Sequence, residues 1–63
     1  MDITMAIENI KAYGERIGTT DILLTLNEML RDEDISNRDR ASMNLFMYEG
    51  RKMFESVKVK VTI

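Results

Sequence analysis

Residues 37–63, NRDRASMNLFMYEGRKMFESVKVKVTI, hold the longest helical period of the chain and then a change of period. Met43, Met47, Gly50, Phe54 and Val57 recur at spacings of four, three, four and three, with Phe46 and Met53 beside them. That stripe is the expected core face of a helix over about residues 37–56. At about 100° per residue Ala41, Leu45 and Tyr48 fall half a turn away, a second apolar patch that one face cannot bury together with the first. After Glu55 the repeat shortens to two. Val57, Val59, Val61 and Ile63 alternate with Lys58, Lys60 and Thr62, which predicts a half-buried strand over about 57–63. A single strand needs a neighbour, so it adds to a second copy, pairs with an extended segment carrying Met1, Ile3 and Met5, or stays loose.

Upstream, Ser36-Asn37-Arg38-Asp39 reads as a capping box: Ser36 accepts from the amide of Asp39, whose carboxylate reaches back. The run Asp32-Glu33-Asp34 puts three acids where a helix C-terminus disfavours them, and so ends a second helix expected over about 20–33. Ile22, Leu23, Leu26, Met29 and Leu30 form its apolar face, with Thr25, Glu28 and Arg31 mostly opposite. The first period, over about 3–17, carries Ile3, Ile7, Ile10, Gly14 and Ile17, widened by Ala6 and Tyr13, with Glu8, Lys11, Glu15 and Arg16 on the other side. Asp2 or Thr4 caps its start. Gly18 suits a left-handed residue at its end, and Thr19 or Thr20 offers the next cap with Asp21 in the following turn. So short a connection makes an antiparallel hairpin.

The expected fold is therefore mostly α: one domain over 1–63, a helical hairpin with a longer third helix packed across it and a short C-terminal strand, associating as a homodimer. Sixty-three residues and 7.3 kDa close one hydrophobic core. A composition of 44% hydrophobic and 32% charged residues is that of a folded chain. Below about 70–80 residues one core supplies only about 3–5 kcal/mol, and with no cysteine there is no disulfide to add to it, so oligomerisation is the remaining common support.

The same inventory narrows the chemistry. Without cysteine or histidine the chain lacks a thiol nucleophile, a thiolate metal site, the commonest general base and the commonest metal ligand. Residues 32–43 resemble a calcium loop only at Asp32, Asp34 and Ser36; Asn37 stands where the turn needs glycine and Met43 where a glutamate must close the site. No glycine-rich phosphate loop is present, and a chain this small is expected to have little volume for a ligand cleft. Neither an enzyme nor a metal or other cofactor is expected. The start MDITMAIENI has no basic segment followed by an apolar one, and no apolar run approaches the roughly 20 residues of a membrane span, so a cytoplasmic location is expected and no membrane partner.

What remains is surface. Residues 1–34 carry net −5 and residues 35–63 net +3, within a total of −2 and a pI near 5.0. Arg38 and Arg40 oppose the dipole at the start of the third helix. They pair with Asp32, Glu33 and Asp34 upstream, or else meet a partner carboxylate or a phosphate. The patch of Ala41, Leu45 and Tyr48 is buried if the third helix is central and the hairpin covers both its sides; otherwise it is an interface, for which tyrosine and the six methionines are suited. Gly50, inside the helix, suggests a close helix crossing. The leading expectation is a non-enzymatic protein-binding or regulatory module that partners itself and a second, unidentified protein. It would act through Arg38, Arg40, Ala41, Leu45 and Tyr48, or by strand addition through Val57, Val59, Val61 and Ile63. One alternative is a small DNA-binding regulator using Arg38, Arg40, Lys58 and Lys60, against which the acidic total stands. Another is a structural subunit of a larger assembly.

Overall fold

The chain forms three helices, α1 (Ile3–Ile17), α2 (Ile22–Arg31) and α3 (Asn37–Thr62), in a computed structural model that describes the backbone of residues 1–62 and the side chains of residues 1–52. Short polar residues set their ends. Asp2 caps α1, its Oδ1 accepting from the Met5 amide at 2.9 Å. Gly18, at φ +83°, ends the helix: its own amide donates to Glu15 O at 3.3 Å, and the Thr19 amide donates to Gly14 O at 2.9 Å.

Asp21 caps α2, with Oδ1 accepting from the amides of Leu23 at 2.9 Å and Leu24 at 3.2 Å. Thr19 supports that cap instead of supplying it, since its Oγ1 accepts from the Asp21 amide at 3.0 Å. The second helix is accordingly shorter at both ends than the sequence suggests, closing at Arg31. Ser36 Oγ accepts from the Asp39 amide at 3.1 Å, half of the expected capping box. The other half is absent because the Asp39 carboxylate turns to Arg16.

α1 is the central element. It touches both other helices, α3 most extensively, while α2 and α3 meet least. Of the two readings of the Ala41, Leu45 and Tyr48 patch, the one that needs a central third helix is therefore not the arrangement found. The core gathers Ile10 and Tyr13 of α1, Leu26 and Met29 of α2 and Met43 of α3, with Ile22, Ile35 and Phe46 partly buried against them. In α2 the inward face includes Thr25, only 2% exposed, whereas Leu23 and Leu30 point outward, the reverse of the sequence reading. Gly14 decides this. It has no side chain to hold α2 away, and Thr25 Oγ1 comes within 2.8 Å of where a Cβ on Gly14 would lie.

α3 is likewise turned from its expected stripe. Asp39, Ser42 and Met43 are buried and Phe46 half-buried, while Met47 is exposed and Gly50 has open space beside it, so that among the described residues no helix crosses there. Polar residues can face inward because α1 supplies partners: Asn9 Nδ2 donates to Ser42 Oγ at 2.9 Å, and Arg16 reaches Asp39. Ser42 also donates to the Arg38 carbonyl one turn earlier, at 2.8 Å.

The C-terminal strand is a second correction. α3 continues through Thr62, so residues 57–62 are helical, and no strand occurs among the described residues. A helix closes each backbone hydrogen bond within its own segment, whereas a lone strand leaves a row of donors and acceptors for a neighbour to satisfy. α1 begins at Ile3, so the N-terminus offers no such neighbour. β-branched residues cost a helix at most about 0.7 kcal/mol each, less than unmet backbone groups. Pairing through Val57, Val59 and Val61 thus has no strand to act through, and Ile63 lies outside the described residues. With 26 residues against the 15 of α1, α3 is about 39 Å long and runs well past the helix it packs on, along a molecule whose longest dimension is 43 Å.

Candidate functional site

The outer side of α3 is opposite its buried row of Asp39, Ser42 and Met43. Ala41 and Tyr48 are both exposed there, Tyr48 by 60%. Leu45 is half-buried at the edge of the core face. Arg38 and Arg40 are exposed, and among the described residues neither is joined by an ion pair to Asp32, Glu33 or Asp34. Asp32 is engaged elsewhere, its Oδ1 accepting from the Asp34 amide at 2.9 Å and its Oδ2 from Tyr13 at 2.8 Å. Lys52 Nζ stands 5.3 Å from the centre of the Tyr48 ring, one turn further along. The structure therefore brings Arg38, Ala41, Leu45 and Tyr48 along one side of the helix, with Arg40 round its circumference. The side chains of Lys58 and Lys60 lie outside the described residues.

Behind this face, a polar seam ties the helices together. Arg16 Nη2 donates to Asp39 Oδ2 at 3.0 Å, and its guanidinium carbon lies 5.2 Å from the centre of the Tyr13 ring. Tyr13 in turn donates to Asp32. Burial, and then the hydrogen bond and charge of Asp32, raise the Tyr13 phenol above the ordinary tyrosine value of about 10, with Glu28 adding to the rise and Arg16 opposing it. A raised folded-state value means that the folded protein holds this proton more tightly than the unfolded chain does. The contribution is complete below about pH 10 and is lost as pH rises through the folded-state value. Tyr13→Phe should cost about 1 kcal/mol at neutral pH, and the gap between wild type and variant should narrow in alkali. Denaturant melts of both proteins on either side of pH 10 check this; a gap independent of pH would contradict it.

Among the described residues, clefts flank the core on either side of α2. One, of about 450 Å³, lies between α1 and α2 over Ile10 and Ile22, with Lys11, Glu15 and Thr20 among its lining residues. That is within the range of ligand pockets, larger than expected for so short a chain. The other, of about 200 Å³, lies between α2 and α3 and includes Arg40, Met29 and Met43. Among the described residues no three acidic side chains gather where they could hold a metal ion, and no helix is long and apolar enough to cross a membrane.

The sequence reading missed one apolar surface. Leu23, Leu24 and Leu30 on α2 are all more than half exposed. The signal was present: ten residues with Ile22, Leu23, Leu24, Leu26, Met29 and Leu30 hold more apolar side chains than one face of a three-turn helix can bury. No protein-family model matches this chain, and no curated protein or solved structure matches it either.

Proposed function

We propose that this chain is a protein-binding module that performs no chemistry of its own and holds a larger protein through the outer face of α3. One observation carries the reading: Tyr48 and Ala41 stand in solvent on the outer side of α3, with exposed Arg38 and half-buried Leu45 beside them and exposed Arg40 round the helix. An aromatic anchor with an arginine rim is the composition of an interface centre. It suits a partner with an apolar groove edged by carboxylates, which arginine engages through two parallel hydrogen bonds. On the same reading the working unit is a homodimer.

Leu45→Asp combined with Tyr48→Asp should abolish capture of the partner from the native cell extract while helicity and oligomeric state stay as in the wild type. Undiminished capture would refute the reading. The exposure of Arg38 and Arg40 at the leading end of α3 also favours a second reading, a small DNA-binding regulator. Salt-dependent retention on duplex DNA, lost in Arg38→Ala with Arg40→Ala, would select it over the first.

A further inference from the structure

Among the described residues the outer face of α2 has no neighbour. Leu23, Leu24 and Leu30 are exposed by 69%, 55% and 59%. Leu23, Asn27 and Leu30 follow one another at spacings of four and three, with Leu24 and Arg31 alongside. The inward face of the same helix is spent on α1 through Thr25, Leu26 and Met29. Only one acid and one base, Glu28 and Arg31, sit on the exposed part of α2, so two such faces can meet without net repulsion.

We propose that this face docks a second copy of the chain, α2 against α2, antiparallel about a twofold axis near Asn27. The proposal rests on the homodimeric part of the function given above and uses a surface separate from the outer face of α3. Self-complementarity selects the occupant. Leu23 and Leu30 are almost equally far from Asn27 along the helix, so antiparallel apposition sets Leu23 of each copy beside Leu30 of the other. Asn27 meets its own counterpart at the axis, where a paired amide fixes register. The same arrangement brings Arg31, in the last turn, toward the Asp21 cap at the start of the opposite helix, and aligns the two helix dipoles favourably.

Sedimentation equilibrium on the full chain across low to high micromolar concentrations tests the proposal. The wild type should be dimeric, and Leu23→Glu with Leu30→Glu should raise the dissociation constant by about 100-fold or more while keeping helicity, because both positions are exposed. The chain has no cysteine, so Asn27→Cys introduces a single thiol that a short bismaleimide should link between copies, whereas Tyr48→Cys should not link. A wild type that stays monomeric at high micromolar concentration overturns the proposal. So does a dimer indifferent to the Leu23 and Leu30 changes, or one that links through Tyr48→Cys and not through Asn27→Cys. Partner capture by the monomeric α2 variant would separate failure here from failure of the α3 reading, which the Leu45 and Tyr48 variant addresses alone.

Discussion

Gly14→Ala is expected to destabilise the protein by about 1–3 kcal/mol, although alanine is the better helix former by about 0.8–1 kcal/mol. A Cβ at that position would lie 2.7 Å from the carbonyl oxygen of Thr19 and 2.8 Å from Thr25 Oγ1. Neither neighbour can yield freely. The Thr19 carbonyl belongs to the turn whose amide is bonded to Gly14 O, and Thr25 Oγ1 donates to the Asp21 carbonyl at 2.8 Å. The methyl group therefore has to part α1 from α2 at their closest point, loosening Leu26 and Met29 in the core. Equilibrium urea unfolding should show the midpoint fall. Thr25→Ala in the same chain should restore only part of it, since the backbone contact remains. A midpoint raised by Gly14→Ala would mean that helix propensity outweighs the crossing, and that the α1–α2 contact is not the close one described.

Arg16→Met should cost about 2 kcal/mol, for a different reason. The Asp39 side chain is 5% exposed; its Oδ1 has no hydrogen-bond partner among the described residues and its Oδ2 depends on Arg16. Methionine keeps much of the aliphatic stem but removes the guanidinium that stands over Tyr13 and leaves the buried carboxylate without its cation. Removing one member of a fully buried pair costs about 3–5 kcal/mol; Arg16 is 56% exposed, and solvent screening lowers the figure here. Asp39→Asn removes the charge itself and should cost less, because the freed guanidinium returns to water. The double variant should then be more stable than the sum of the single changes predicts, a coupling that a double-mutant cycle measures directly. Equal, additive losses would show that the pair is an ordinary surface contact.

These two sites mark the boundary between what could be read along the chain and what could not. The three helical periods, the stop at Gly18, the Asp2 cap and the Ser36 cap all depend on groups within a few residues of one another, and each is found in place. The second patch on α3 was legible only as an angular separation too wide for one face: Tyr48 and Ala41 are exposed, whereas Leu45 is half-buried. Leu23 and Leu30 were not legible as surface. The apolar spacing along α2 places them with the core, and only the approach of α1 at Gly14 gives Thr25 the inward place.

The C-terminal alternation misled for a related reason. Period two describes a strand when a neighbouring strand exists to complete it; without one, the helix that starts at Asn37 continues through the valines. Asp39 and Ser42 show the converse. Polar side chains ordinarily face water, and these are buried because Arg16 and Asn9 on α1 supply the bonds that water would otherwise give.

Helix number, the starts of α1 and α3 and the end of α1 thus follow from local chemistry, since a backbone donor finds its acceptor four residues away and a cap finds its amide within three. Which side of each helix turns inward follows from contacts between residues far apart in the chain. Gly14 against Thr25, Arg16 against Asp39 and Asn9 against Ser42 rotate α2 and α3 to faces that hydrophobicity alone does not select. Burial is a property of neighbours in space, and it leaves Tyr48 exposed on one side of this small protein and three leucines exposed on another.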